Sequence, residues 1–230
     1  MAARRFDISG MWWVLLGLAL VTGVVVLGFA RARKRTSALR MMATQFGLVY
    51  SPVVPMDVRV LPLPLLSQGD KQRFRNLLQG RWGGIDLQEF DLAIVEEEGR
   101  SSSTKWYSCA VAQVPAWCRT ISIHAENPVA RAAERVLEHH VPFESEQFQR
   151  AFHVDCADDR FATAFVDPRM MSWLLAHGRG WTFEVAGCWA LCYRKLVRPE
   201  ELVPLLGTLR GFTDHIPRVV SELYGLDGAR

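Results

Sequence analysis

The sequence predicts an α+β protein in which one N-terminal transmembrane helix precedes a soluble domain of antiparallel strands covered by helices. Three observations lead to this prediction: residues 11–30 carry no charge, residues 72–126 have a strand-like pattern, and helix caps with apolar stripes follow residue 127. The 230 residues then divide into five segments. These are an N-terminal flank (1–10), a transmembrane helix (11–30), a basic juxtamembrane and amphipathic helix (31–47), a strand-rich part (48–126) and a helical or mixed part (127–230).

The segment 11–30 is long and apolar enough to cross a bilayer. Thr22 is its only polar side chain, and eleven of its residues are Leu, Val or Phe. Twenty helical residues span roughly 30 Å, the thickness of the hydrocarbon core. The eleven large apolar residues favour insertion by about 3–7 kcal/mol. A cleaved signal peptide is the alternative, but its apolar region is typically about 7–15 residues long, and here a basic cluster follows at once.

Basic residues on both sides of this segment predict its orientation and its contacts with lipid. Five basic residues follow it within ten positions, whereas Arg4 and Arg5 precede it, so the C-terminal domain is expected on the cytoplasmic side of the inner membrane. A stop-transfer signal alone also explains the cluster. The residues expected at the membrane interface are Trp12, Trp13, Arg31, Arg33, Lys34 and Arg35. Ala19 and Gly23 form one small-residue pair, which is weak support for a homodimer.

Charge and cysteine content restrict the class of partner. The first forty residues hold seven of the 27 Lys and Arg and one of the 24 Asp and Glu, so residues 41–230 hold 20 basic and 23 acidic residues. A nucleic-acid-binding domain should carry excess positive charge, so no nucleic-acid partner is expected. The five cysteines are odd in number and scattered, which fits a reducing compartment.

The first half of the chain reads as a helix followed by a meander of strands. A stripe of Leu39, Met42, Ala43 and Phe46 predicts that the membrane helix continues to Gly47, where a left-handed residue ends it. Strands are expected at 48–54, 85–95, 104–114 and 119–124. A tight hairpin turn is expected at residues 82–85, which contain paired glycines, and a polar connection at residues 96–103.

The second half reads as short capped helices around one more hairpin. Helices are expected at 127–140, at 159–166 after the cap Asp158, and at 169–177 after Asp167 and Pro168. Residues 181–186 and 188–195 alternate around Gly187 and predict a hairpin. A last helix opens at Pro199 and is divided by Pro217.

Residues 143–175 resemble the signature of a bacterial family of membrane-anchored proteins of unknown function. The matching positions are Glu146, Phe148, Phe152, Val154, Asp158, Ala162, Pro168, Met171 and Leu174. Family members often carry Arg after the Ala of this pattern, whereas this chain has Thr163. The resemblance implies a membrane anchor and a similar layout, and it brings no catalytic residues. Physically, the signature consists mostly of packing residues, including a Phe148–Phe152 pair four residues apart.

Candidate chemical groups are present but match no established motif. Cys188 and Cys192 would lie roughly 13 Å apart on a strand, too far to share one zinc ion. Cys109 with His124 is a catalytic pair to consider, since such partners need be close only in space. The acidic residues 155, 158 and 159 lack the calcium-loop pattern. The sequence therefore predicts no catalytic residue, metal ligand or cofactor.

Two functions remain after these observations. The first is a non-enzymatic interaction or regulatory module at the cytoplasmic face of the membrane, whose partner is a membrane or cytoplasmic protein. The alternative is a membrane-tethered hydrolytic enzyme with a Cys or Ser beside a His. A deep polar pocket would favour the enzyme, whereas an exposed docking surface would favour the module.

Overall fold

The apolar segment and the amphipathic segment after it form one helix, α1 (Ile8–Phe46), as the sequence predicts. A computed structural model describes residues 8–99, 101–125 and 141–224 of the chain. The described side chains from Leu15 to Lys34 are exposed, and this part of the helix is long and apolar enough to cross a membrane. Leu39 and Ala43 are buried against the domain, and Gly47 ends the helix at φ +68°.

An antiparallel sheet forms the centre of the described domain. Its strands are β1 (Val49–Ser51), β2 (Lys71–Trp82), β3 (Ile85–Glu98), β4 (Ser101–Ala125), β5 (Phe152–Cys156) and β6 (Thr182–Lys195). The strands β1 to β4 are neighbours in chain order, which confirms the predicted meander. In the described part of the chain, the long strand β4 has three partners. Its residues 101–112 pair with β3, its residues 121–125 pair with β5, and its residues 107–124 pair with β6. Because a strand has two edges, β3 and β5 share one edge of β4 and β6 occupies the other.

Short helices pack on the sheet and connect its strands. They are α2 (Met56–Arg59), α3 (Glu146–Ala151), α4 (Asp159–Phe165), α5 (Pro168–Trp173), α6 (Leu202–Asp214) and α7 (Arg218–Leu223). The predicted caps are confirmed: the Asp158 carboxylate accepts a hydrogen bond from the amide of Phe161, and Asp167 accepts one from Met170. Pro199 opens a single turn before α6, and Pro217 separates α6 from α7. The helix predicted at 127–140 lies outside the described residues.

The two faces of the sheet have separate apolar cores. The C-terminal part of α1 and the helices α4 to α7 cover one face, where Leu205, Leu209 and Phe212 of α6 are fully buried. The segment between β1 and β2 covers the other face, where Leu63 and Leu65 pack over Phe90 and its neighbours. Each buried leucine contributes about 1.5–3 kcal/mol, so both layers stabilise the sheet.

Two connections and one strand of the meander were predicted with different success. Residues 96–103 are not a loose polar connection but the paired end of a hairpin, in which Glu96 lies opposite Ser103 and Gly99 turns at φ +57°. The strand predicted at 119–124 is the last part of β4. The predicted turn at residues 82–85 is confirmed, since β2 ends at Trp82 and β3 begins at Ile85 after two glycines with positive φ.

The hairpin predicted around Gly187 is instead a sharp bend within one strand. Both halves of β6 pair with β4, and Gly187 sits at the break in register with φ +56°. The Tyr193 hydroxyl nevertheless donates a hydrogen bond to Glu184 at 3.1 Å. A straight strand would separate two residues nine apart by about 30 Å, so β6 folds back strongly. Alternating apolar residues around a glycine fit a bent strand as well as a hairpin.

Candidate functional site at the junction of helix and sheet

The junction between α1 and the sheet concentrates the buried polar groups of the described domain's helical side. Arg35 lies one helical turn before the buried Leu39, on the membrane side of the docked part of α1. Its side chain is 14% exposed, and the carboxylate of Asp91 on β3 is 3% exposed. The two groups meet where α1 first touches the domain.

The ion pair between these residues is bidentate. The Nε atom of Arg35 donates to one carboxylate oxygen of Asp91 at 2.8 Å, and Nη2 donates to the other at 2.6 Å. The remaining terminal nitrogen donates to the backbone carbonyl of Val197, which follows β6. A planar guanidinium fork matches a carboxylate in this way with defined geometry. The helix is therefore tied both to the centre of the sheet and to the segment leading into α6.

Further groups complete the surroundings of Asp91. The side-chain amide of Asn76 donates to it at 2.8 Å, and the hydroxyl of Ser108 donates to it at 3.4 Å. Asn76 has φ +59° at a bulge in β2, and Tyr50 donates to its side-chain oxygen at 2.9 Å. Asparagine tolerates the left-handed conformation better than most residues, so it can direct its amide inward here. The carboxylate of Asp91 thus receives four hydrogen bonds, which offsets the cost of its burial.

Burial and neighbouring charges both shift the pKa values of Arg35 and Glu89. Burial lowers the pKa of Arg35, but the hydrogen bonds and charge of Asp91 outweigh it, so the pKa of Arg35 is raised. Glu89 lies two residues before Asp91 on the same face of β3, and neither of its carboxyl oxygens has a hydrogen-bond partner among the residues that the structure describes. Burial, followed by the charge of Asp91, raises the pKa of Glu89 well above its ordinary value, although Arg35 opposes this. Burial at this position therefore favours the neutral, protonated form of Glu89 over the charged one.

The residues predicted at the membrane interface take different positions. Arg31, Arg33 and Lys34 are exposed on α1, as a contact with lipid requires. Arg35 is the exception, because its guanidinium faces the domain and pairs with Asp91 instead of facing lipid. The side chains of Trp12 and Trp13 lie outside the described part of α1.

A second buried carboxyl group stabilises the opposite face of the sheet. Glu184 is 2% exposed and accepts hydrogen bonds from the amide of Leu65 at 2.9 Å and from the Tyr193 hydroxyl. Burial raises the pKa of Glu184 to about 7, with these two hydrogen bonds acting against the increase. The group joins the bent strand to the segment between β1 and β2, so its role is structural.

The cysteine and histidine candidates have surroundings that do not suit nucleophilic catalysis. Cys109 is fully buried opposite Tyr193, and burial raises its pKa well above the ordinary value. A catalytic thiol instead needs a lowered pKa and access to solvent. His124 lies opposite His153 across the sheet, with the two rings 5.0 Å apart. In residues 8–99, 101–125 and 141–224, no group of three His, Cys, Asp or Glu side chains is placed to hold a metal ion.

An open groove on α5 and α6 brings two histidines beside a serine. Trp173 stacks on His215 with ring centroids 5.4 Å apart, and its ring is 5.8 Å from that of His177. The hydroxyl of Ser172 donates to the carbonyl of Pro168 at 2.8 Å, and the Nδ1 atom of His215 lies 2.7 Å from the carbonyl of Gly211. Both groups are engaged with the backbone, so the groove does not present a serine activated by a histidine.

Sequence reasoning did not identify Asp91, Glu89 or Asn76 as important. A usable signal was present, because Glu89 and Asp91 are two acids at strand spacing that alternate with Phe90 and Leu92 in a strand predicted to be half-buried. Such residues on a buried face need a partner, and the nearest uncommitted basic cluster was the one assigned to lipid. The sequence does not indicate which of those basic residues turns inward.

Comparisons with known proteins support the fold. No family model and no curated protein matches this chain, so the resemblance to the membrane-anchored bacterial family stays a prediction. The crystal structure of the mycobacterial trehalose monomycolate transport factor A, TtfA, is similar, with a TM-score of 0.56 and 14% sequence identity. The similar region covers 79% of this chain and 94% of TtfA. At this identity the likeness shows a shared fold.

The junction predicts a large loss of stability when Asp91 is replaced. Asp91→Ala leaves Arg35 buried without its counter-ion, so the free energy of unfolding should fall by about 3–5 kcal/mol. Lys71→Ala removes an exposed ion pair with Glu97 and should cost less than about 1 kcal/mol. Urea unfolding of the full chain in detergent micelles measures both. A cost for Asp91→Ala as small as that of Lys71→Ala would contradict a tightly coupled junction.

Glu184 predicts a pH dependence of stability. Its pKa is about 7 in the folded chain and about 4.5 when unfolded, so the folded state binds more protons between these values. Stability is therefore full below pH 4.5 and falls, by up to about 3 kcal/mol, as pH rises through 7. The neutral variant Glu184→Gln should lose less stability between about pH 5 and pH 8 than the unchanged protein. Glu146→Gln, at an exposed site on α3, should keep the original dependence; equal pH slopes for all three proteins would exclude this role of Glu184.

Proposed function

We propose that this chain is a single-pass, membrane-anchored accessory module whose domain binds a protein partner of a membrane-embedded system on the cytoplasmic side of the inner membrane. The rigid junction at Arg35 is the observation that carries the proposal. Arg35 follows the end of the apolar segment at Ala30 by only five positions of the helix, a rise of about 7.5 Å. The domain therefore has no flexible tether to the segment that would lie in the membrane.

A fixed connection favours a docking role over the processing of a diffusing substrate. Tethering raises the local concentration of a domain near membrane proteins, and a flexible linker is sufficient for that effect. Fixing the rotation of the domain as well presents one face to a neighbour in the plane of the membrane. The continuous helix and the bidentate ion pair supply such a constraint.

The similarity to TtfA supports an accessory role in transport. TtfA is a trehalose monomycolate transport factor, and its fold is shared with this domain. We infer that this chain likewise assists a membrane transport system without performing chemistry itself. In this proposal the partner binds the transported molecule, and this chain does not determine which molecule is transported.

A membrane-tethered hydrolase remains the alternative. Among the described residues, Cys109 is buried with a raised pKa, and Ser172 is hydrogen-bonded to a backbone carbonyl. These observations support the docking module instead. Recovery of no specific partner by crosslinking, together with turnover in a broad hydrolase screen, would reverse the preference.

Two insertions of equal length test the importance of the rigid connection. A seven-residue Gly-Ser segment placed between Arg33 and Lys34 frees the domain from the orientation of the span. A seven-residue Ala-rich segment at the same place continues the helix through about two turns and preserves its rotation within roughly 20°. Crosslinking in membranes followed by mass spectrometry should recover the partner with the helical insertion and lose most of it with the flexible one.

The two insertions keep the same span, the same domain and the same added length. Equal partner recovery with both would show that orientation is unimportant and would remove the main support for the docking module. Reduced recovery with the helical insertion alone would indicate that height above the membrane matters more than orientation, which would also contradict the proposal.

Orientation has a separate test. Single cysteines at Ala3 and at Ser102, an exposed position at the end of the β3–β4 hairpin, report the two sides of the span. Under the positive-inside rule, an impermeant thiol reagent applied to cells with a permeabilised outer layer should label position 3 and spare position 102. The reverse labelling would place the domain outside the cytoplasm.

A further inference from the structure

Two arginines on β2 lie exposed on the same sheet face that α1 crosses. In the register of the sheet, Arg75 is opposite Asp91, and Asp91 faces α1 because it holds Arg35. Residues directly opposite each other share a face, and Arg73 shares it through the two-residue period of the strand. Both arginines are exposed. They therefore lie beside the point where α1 leaves the domain.

Two contact points establish the direction of β2 relative to the expected bilayer. Gly80 of β2 lies beside the C-terminal end of α1, since a Cβ atom added to it would be 3.7 Å from the carbonyl oxygen of Gly47. Asn76 lies nearer the start of the docked part, because its amide donates a hydrogen bond to the carboxylate that binds Arg35. Residues 80 to 76 of β2 thus follow α1 back toward the apolar segment. Arg73 lies beyond Asn76 in that direction, by about 10 Å at the rise of a strand. The start of β2 is the membrane-proximal end of the sheet.

Two acidic groups at this end of the sheet are paired with lysines. Glu96 pairs with Lys105 at 2.8 Å and Glu97 pairs with Lys71 at 2.6 Å. Within the described ranges, Arg73 and Arg75 form no ion pair. Arg31, Arg33 and Lys34 are exposed on the adjacent helix. Asp70 also lies at this end, where its carboxylate accepts a hydrogen bond from the amide of Glu97. Glu98 ends β3 at the same end. The five basic residues Arg31, Arg33, Lys34, Arg73 and Arg75 thus outnumber Asp70 and Glu98 here, although residues 41–230 carry more acidic than basic residues.

Trp106 holds one of the two arginines in place. The guanidinium of Arg75 lies 3.9 Å from the centroid of the half-buried Trp106 ring. The backbone of Trp106 accepts a hydrogen bond from Leu196, whose side chain is 42% exposed. An arginine stacked on an indole beside an exposed leucine is a combination typical of the bilayer interface, where amphipathic groups settle at the level of the headgroups.

We propose that Arg73, Arg75 and Trp106, together with Arg31, Arg33 and Lys34 of α1, form a surface that binds the anionic headgroups of phospholipids in the leaflet from which the span emerges. We refer to these six residues as the basic rim. The basic rim rests on the membrane anchoring proposed above and adds a lipid specificity to it. Binding at the basic rim adds contacts from the sheet to those of the helix.

Lipid selectivity of the full chain tests the basic rim. The purified full-length protein is reconstituted in phosphatidylcholine vesicles with traces of spin-labelled phosphatidylglycerol or phosphatidylcholine, and the motionally restricted fraction is measured. Each basic residue near the surface is worth roughly a fivefold change in association. The preference for phosphatidylglycerol should therefore fall by up to roughly 25-fold in the double variant Arg73→Gln/Arg75→Gln, and it should weaken in about 0.5 M salt because screening is stronger.

Matched variants distinguish the basic rim from general charge effects. Arg81→Gln removes an exposed arginine at the other end of β2 and should leave the preference unchanged. Arg75→Lys keeps the charge and should retain most of the preference. Equal behaviour of the double variant and Arg81→Gln would overturn the proposal. Loss of phosphatidylglycerol binding when about 10 mM inorganic phosphate is added to a buffer that already contains about 0.1 M salt, where it hardly changes the screening, would also overturn it, because the surface would then be a site for soluble anions.

Failure of the basic rim is distinguishable from failure of the proposed function. If alkaline carbonate releases the unchanged chain from membranes, the anchoring itself is wrong. If the chain stays in the membrane and the double variant keeps its lipid preference and its urea unfolding, the basic rim alone is wrong. Unfolding by urea at an unchanged midpoint is the control that the exposed substitutions leave the fold intact.

Discussion

The ion pair between Arg35 and Asp91 is the constraint on which the arrangement of helix and sheet depends. A shift of α1 by one turn, about 5.4 Å, would still place an apolar residue against the sheet, because the stripe of Leu39 and Ala43 repeats at nearly that distance. Such a shift would leave two buried charges unpaired, and each would cost several kcal/mol. Since replacing such a pair by apolar residues is often neutral for stability, its main effect here is to select one register and one rotation of the helix.

Glu89 makes this selection stricter. It occupies the same face of β3 as Asp91, two residues away, and would compete for Arg35 if it were ionised. Burial raises its pKa and so favours the neutral form, which leaves Asp91 as the carboxylate that pairs with Arg35. Asn76 and Ser108 complete the set of donors to Asp91, and both lie on strands next to β3. Residues of three strands therefore fix the carboxylate of Asp91. Because this carboxylate binds Arg35, its fixed position sets the direction of the apolar segment relative to the sheet.

How much could be predicted from the sequence depends on whether a signal is local. The extent of α1, the turn at Gly83 and Gly84, and the caps Asp158 and Asp167 follow from neighbouring residues and are confirmed. The prediction at Gly187 was wrong because a glycine between alternating apolar residues fits a hairpin equally well, and only pairing with the distant β4 decides between them. Arg35 was assigned to lipid for the same reason, since its partner is 56 residues away. The junction residues therefore had to come from the tertiary structure.

The bend also explains why the described domain favours surface recognition over an enclosed site. A strongly folded sheet creates a concave face, which is where a buried ligand would be expected. Here that face is filled by Leu63, Leu65 and their neighbours, and Glu184 fastens the segment that carries them. The opposite face is covered by α1 and the helices α4 to α7. With both faces of the sheet covered, the surfaces left for binding in the described domain are the edges of the sheet and the outer sides of the helices. The edge beside α1 is the part whose position relative to the apolar segment is fixed by the Arg35–Asp91 pair.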